Sequence, residues 1–137
     1  MAIIDDAIRL EQDGTISFGN YLADAKIKVE NFEVNGDIYK IRTHKDVTRL
    51  SKNTLLLLET VPGATVHNLS VNEKLTTFSV EGKGGTQITL ELESDTNYSI
   101  YVDDVNIGKI KTSISGKISF SVDLNEKPQS IKIEKHA

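Results

Sequence analysis

The chain has 137 residues, a formal net charge of −4, and neither cysteine nor tryptophan. That length suits one domain able to bury roughly two-thirds of its unfolded surface without a metal or disulfide staple, and the missing cysteines exclude disulfides, thiolate catalysis and zinc–thiolate sites; no cofactor is expected. Residues 1–75 carry 9 basic and 11 acidic side chains and residues 76–137 carry 7 and 9; no basic patch and no single-sign tail is expected, so neither nucleic acid nor an anionic membrane is an expected partner.

The start, Met-Ala-Ile-Ile-Asp-Asp, lacks the basic and apolar regions of a secretory signal, and no apolar run approaches the roughly 20 residues that span a bilayer. The expectation is a cytoplasmic chain, or one released without a Sec signal. Ile3, Ile4, Ala7, Ile8 and Leu10 fit either a short amphipathic helix or a strand, so residues 1–14 read as an N-terminal arm or short helix. Asp13-Gly14 is a turn, and a strand carrying Ile16, Phe18 and Tyr21 is expected over residues 15–22.

Ile27 and Val29 alternate with polar neighbours, but Phe32 and Val34 fall out of step by one residue, which predicts a bulge near Glu30-Asn31. Asn35-Gly36 between two alternating segments predicts a two-residue hairpin, because both central positions need positive φ. Ser51-Lys52-Asn53 reads as a break before the run Leu55 to Leu58, four leucines that leave a strand no solvent face. Pro62-Gly63 is a turn, and a second one-residue slip falls at His67-Asn68.

The stretch from Thr76 to Lys132 is more regular. Phe78/Val80, Ile88/Leu90/Leu92, Tyr98/Ile100/Val102 and Ile118/Phe120/Val122 each line one face, with Thr, Ser, Glu, Lys and Asp between them. Gly82 to Gly85 reads as a hairpin loop, Asp103-Asp104 with Asn106 as a turn, and the last strands are framed by Ser115-Gly116 and Asn125 to Pro128. Turn signals every 8–12 residues predict an all-β fold, an antiparallel β-sandwich of immunoglobulin-like or jelly-roll-like type. Residues 15–75 and 76–137 form its two halves, either within one compact domain or as two small β subdomains.

Candidate chemistry is sparse. His44, His67 and His136 lack metal-ligand spacing, and a role for His44 or His67 needs a carboxylate or serine brought to it by the fold; His136 is expected in a frayed tail. Asp103, Asp104 and Asn106 are weak candidates for a Ca²⁺ turn, since the same residues favour turns by hydrogen bonding to backbone. Glu91 and Glu93 share a strand face at about 7 Å, a glycosidase-like separation that also describes any solvated face. Tyr101 is expected to point outward and, with Tyr39, is a candidate ring for stacking a glycan. Arg9, Arg42 and Arg49 are the only arginines, and nothing in the sequence places them together.

Gly36 to Ile41, Thr43-His44, Val47 to Leu50 and Thr60 to Asn68, with Tyr98 to Val102, Gly108 to Thr112 and Ser115 to Val122, resemble a group of small clostridial proteins that carry the name "endosialidase catalytic beta chain". The same segments are similar to terminal β-domains of Firmicute glycan-acting proteins. The resemblance implies an association with phage or surface glycan systems. Sialidase chemistry is not implied, because the Asp-box repeat of that propeller ends in Trp, and at about 40 residues per blade the chain supplies at most three blades.

The reading drawn from the sequence is a non-catalytic interaction protein that self-assembles, its partner being further copies of itself. Ile3, Ile4, Ile8, Leu10 and Leu55, Leu56, Leu57, Leu58 are the candidate interface. A carbohydrate-binding module is the alternative, and a glycosidase-type enzyme a second one.

Overall fold

The computed structural model describes residues 3–136, and Met1 and Ala2 of the N-terminal segment lie outside the described residues. The strands in chain order are β1 (Ile8–Leu10), β2 (Ile16–Phe18), β3 (Ile27–Val34), β4 (Asp37–Thr43), β5 (Thr48–Lys52), β6 (Leu55–Val61), β7 (Ala64–Val71), β8 (Leu75–Gly82), β9 (Gly84–Glu91), β10 (Asn97–Val102), β11 (Val105–Lys111), β12 (Lys117–Leu124) and β13 (Gln129–Lys135). They form a seven-stranded sheet ordered β1-β2-β7-β8-β13-β10-β11 and a six-stranded sheet ordered β12-β9-β6-β5-β4-β3. Every pairing is antiparallel. The fold is a β-sandwich, as the alternation predicts, and strands from both sides of residue 75 sit in each sheet around one core.

The inner faces meet through Ile41, Leu50, Leu58, Ile88 and Leu90 on one side and Phe18, Val66, Val80, Ile100, Ile131 and Ile133 on the other, all fully buried. Each large aliphatic side chain so enclosed contributes about 1.5–3 kcal/mol relative to exposure, and this is the dominant favourable term. In β12 the alternation is unbroken: Ile118, Phe120, Val122 and Leu124 are buried and the residues between them exposed.

Both expected bulges are present. Val29 pairs Ile41 and Phe32 pairs Tyr39, leaving one extra residue at Asn31, whose φ is +60°. In β7 the extra residue falls at Asn68, φ +56°, and keeps Val66 and Leu69 on the inner face. Asn35-Gly36 closes β3 onto β4 with φ of +51° and +86°. Asn pays little for the left-handed region, which is why it occupies these sites.

Of the two readings of the N-terminal segment the structure takes the strand, over Ile8–Leu10, while Ile4 and Ala7 tuck under β2 through Ile4 N–H to Gly19 O (3.2 Å) and Gly19 N–H to Ala7 O (2.9 Å). Three expectations are corrected. The strand expected over 15–22 stops at Phe18, because Gly19 at φ +104° turns the chain across the sheet. Ser51 and Lys52 belong to β5, and Asn53-Thr54, both at positive φ, forms the hairpin turn. Gly82-Lys83-Gly84 is not a hairpin loop, since β8 and β9 lie in different sheets and the chain changes layer there.

The leucine run is split by a third bulge. Leu58 pairs Leu50 and Leu56 pairs Ser51, so Leu57 is the extra residue and packs on the core beside Leu58. Leu56 is left on the outer face and Leu55 at the open end, 64 % exposed. Strict alternation from Leu58 would turn both Leu57 and Leu55 outward; the one inserted residue instead sends Leu57 to the core and leaves Leu56 on the outer face.

Layer changes demand close backbone approach. A Cβ on Gly19 would lie 2.3 Å from Ala64 O, and one on Gly63 would lie 1.9 Å from His44 O. Beside this corner a row of inward threonines, Thr43, Thr48 and Thr60, crosses three strands. Thr48 Oγ1 donates to Ala64 O (2.8 Å) and accepts from Ala64 N–H (3.1 Å), but the Thr60 hydroxyl has no partner among the described residues.

Gly19→Ala combines positive-φ strain with a backbone clash, each costing about 1–3 kcal/mol. In urea denaturation it loses more stability than Gly36→Ala, where φ is also positive, at +86°, but nothing lies within 4 Å of the added carbon. Thr60→Val removes an unpaired buried hydroxyl and raises stability by about 1 kcal/mol in the same assay.

Candidate functional site

The outer face of the six-stranded sheet gathers charges that are far apart in the chain. Lys28 on β3 pairs Arg42 on β4, Arg42 pairs Arg49 on β5, and Arg49 pairs Glu59 on β6. The row continues through Thr89 and Ser119. Three cations therefore stand side by side at strand spacing, an arrangement that costs stability when nothing neutralises it. Two of them have partners: Lys28 Nζ lies 3.0 Å from Glu30 Oε1, and Arg49 Nη1 donates to Glu59 Oε2 at 2.8 Å. Arg42, half-buried between them, has no hydrogen-bond or ion-pair partner among the described residues.

Lys40 joins this cluster from the next row, opposite Ser51 and 3.6 Å from the same Glu30 oxygen. The ammonium of Lys28, and then that of Lys40, holds the Glu30 carboxyl below its ordinary range, so it stays ionised. The patch holds four cations and two carboxylates, an excess of two positive charges on a chain whose net charge is −4. Lys40, Arg42, Arg49 and Ser51 surround a depression of about 50 Å³. It adjoins a groove of about 570 Å³ lined by Glu30, Asn31, Ile38, Lys40, Ser51, Asn53 and Thr54. A guanidinium open to solvent on one side of such a depression presents the fork that binds carboxylate, sulfate or phosphate oxygens in pairs.

Arg42 and Arg49, which nothing in the sequence placed together, are thus cross-strand neighbours, while Arg9 stays apart on β1, paired with Glu11 at 3.2 Å. The expectation of no basic patch is corrected with it. The signal was present in the sequence: counted from the Asn35-Gly36 turn, an unbulged strand would set Lys28 opposite the inward Thr43, and the bulge at Asn31 moves it opposite Arg42.

The other candidates are scattered. Ile4 and Ile8 are buried in the chain's own core, Ile3 is half-buried and Leu10 is exposed; Leu58 is buried. Tyr39 faces the inter-sheet core and is buried, and the half-buried Tyr101 has Lys132 Nζ 4.4 Å from its centroid. Asp103 is engaged by β13, donating its N–H to Ser130 O and accepting from Ser130 N–H, both 2.8 Å; Asn106 accepts from Gly108 N–H. No group of three His, Asp or Glu side chains among the described residues converges on a metal position. Glu93 lies beyond the end of β9 and holds Lys135, so it does not share a strand face with Glu91. His136 is not frayed: its N–H donates to Asn97 O at 2.9 Å and its ring meets Ser99 Oγ.

One buried constellation had no sequence signal. Glu81, fully buried on the outward side of β8, accepts from Tyr21 OH at 2.9 Å and lies 2.8 Å from His67 Nε2. His67 thus meets a carboxylate, whereas His44 Nδ1 stays 3.9 Å from Asp46. With Thr65 Oγ1 donating to Gly19 O, these bonds fasten the segment after β2 over β7 and β8. Burial, and next the hydrogen bond to Glu81, push the Tyr21 hydroxyl well above its ordinary value. A raised folded-state value means stability is fully present below the unfolded value of about 10 and lost as pH rises above it. Wild type therefore destabilises above about pH 10 more steeply than Tyr21→Phe, as measured by denaturation at stepped pH.

No described segment is a helix long and apolar enough to cross a membrane. No protein-family model, curated protein or solved structure matches this chain.

Proposed function

We propose that this chain is a non-catalytic interaction module that captures an anionic ligand on the outer face of its six-stranded sheet. The observation that carries the reading is Arg42, unpartnered between Lys28 and Arg49. Like charges held in one row are repaid when an oxyanion sits among them, and the bound form then gains at each of the three. The adjoining groove carries amides and hydroxyls from Asn31, Ser51 and Thr54 beside the apolar Ile38, a lining suited to a saccharide. It has no aromatic ring on which the bases of single-stranded nucleic acid would stack, so a ligand there is held by polar and ionic contacts, as the carboxylate or sulfate groups and hydroxyls of an acidic glycan can be. Self-assembly through the N-terminal segment loses its support, because Ile4 and Ile8 are spent on the chain's own core.

Calorimetric titration with uronic-acid and sulfated oligosaccharides, against neutral ones of the same length, tests this. Binding is expected for the acidic series alone and weakens with salt. Arg42→Ala lowers affinity roughly tenfold or more, since a hydrogen bond to a charged group contributes about 1.5–3 kcal/mol, and Arg42→Lys falls between the two. Equal affinity for neutral and acidic ligands, or an unaffected Arg42→Ala, overturns the reading.

A further inference from the structure

The sandwich has four edge strands, and three carry features that block further strand pairing. β1 has three residues; β3 is bulged at Asn31; β11 is bulged at Ile107, where Ile100 pairs Gly108 but Tyr101 pairs Asn106, and carries Lys109 and Lys111. Short length, bulges and lysines are the usual protections of an open edge. β12 carries a single lysine, Lys117, at its first position and has neither a bulge nor a proline: its eight residues pair β9 in one uninterrupted register from Lys117 to Leu124.

We propose that β12 is the seam of a two-fold dimer, pairing antiparallel with β12 of a second copy. The edge itself selects the register. Ser113 N–H donates to Lys117 O and Lys117 N–H to Ser113 Oγ, both 3.1 Å, and Gln129 Nε2 donates to Asp123 O at 2.6 Å. These bonds show that Lys117 and Asp123 aim backbone groups away from β9, and with them, by the alternation of an antiparallel ladder, Ser119 and Ser121. Between the two tied ends Ser119 and Ser121 are left with N–H and C=O facing outward. A two-fold axis beside Phe120 sets Ser119 opposite Ser121 of the second copy twice over and closes four backbone hydrogen bonds.

The same register sets Lys117 opposite Asp123 of the second copy, again twice. Neither side chain forms an ion pair within its own chain among the described residues. Sliding by one repeat sets Lys117 against Ser121 or Asp123 against Ser119, so only the register centred on Phe120 matches both charges. Isologous pairing of this kind joins the two six-stranded sheets into one and removes the unprotected edge. With the ends already tied, the seam is short, and the dimer is reversible rather than obligate.

Light scattering from micromolar to millimolar chain concentration reads it. The mass is expected to rise from 15.1 kDa toward twice that value. Ser121→Pro removes an outward donor at a position where an edge tolerates proline, and it stays monomeric with its thermal midpoint kept. Lys117→Asp weakens association roughly tenfold by turning two attractions into repulsions, and adding Asp123→Lys restores it. The charge-swapped pair carries the test if the proline variant does not fold. Arg42→Ala leaves dimerisation unchanged, which separates this seam from the anion site. A monomer at millimolar concentration, or a dimer indifferent to both Ser121→Pro and Lys117→Asp, overturns the proposal.

Discussion

Strand side chains alternate with a period of two, so a single inserted residue reverses the face of everything beyond it. This sandwich is built on that constraint, and the insertions at Asn31, Leu57, Asn68 and Ile107 are where it is met. At Asn31 the insertion keeps both Val29 and Phe32 against the core. It also brings Lys28 to Arg42 on the wet side. Core packing and surface chemistry are thus set by one backbone irregularity. The hydrophobic term dominates its energetics, since burying Phe32 and Val29 outweighs the modest repulsion among exposed cations.

The two sheets are used differently. The seven-stranded sheet is covered on part of its outer face by the chain after β2, held by Tyr21 to Glu81 and by Gly19 to Thr65. Glu81 is the costly member, because a buried carboxylate demands partners, and it has them in Tyr21 and His67. The six-stranded sheet leaves its outer face open and places most of its formal charge there. A closed, internally satisfied face suits scaffold, and an open face with an unpaired arginine suits recognition.

Edges follow a similar division. Three are short or bulged, whereas β12 is regular. Its inner residues are already buried without a neighbour, so its regularity is a property of the backbone ladder rather than of an exposed apolar stripe. That is the chemistry of reversible strand addition, in which main-chain bonds give the contact and two charges give the register.

The sequence by itself determined the class of fold, the Asn35-Gly36 hairpin, the bulges at Asn31 and Asn68, and the inward faces of the later strands. All of these rest on alternation and turn chemistry within a few residues. Only the tertiary structure decided that the leucine run divides among core, surface and open end, because its bulge has no Asn or Gly to announce it. It alone decided that the Gly82 to Gly84 segment changes layer, since a corner and a hairpin draw on the same residues. It alone set Arg42 beside Arg49 and Tyr21 beside Glu81, pairs 7 and 60 residues apart in the chain. Strand register is a sum over long-range pairings, and the chemistry of both outer faces is written in that register.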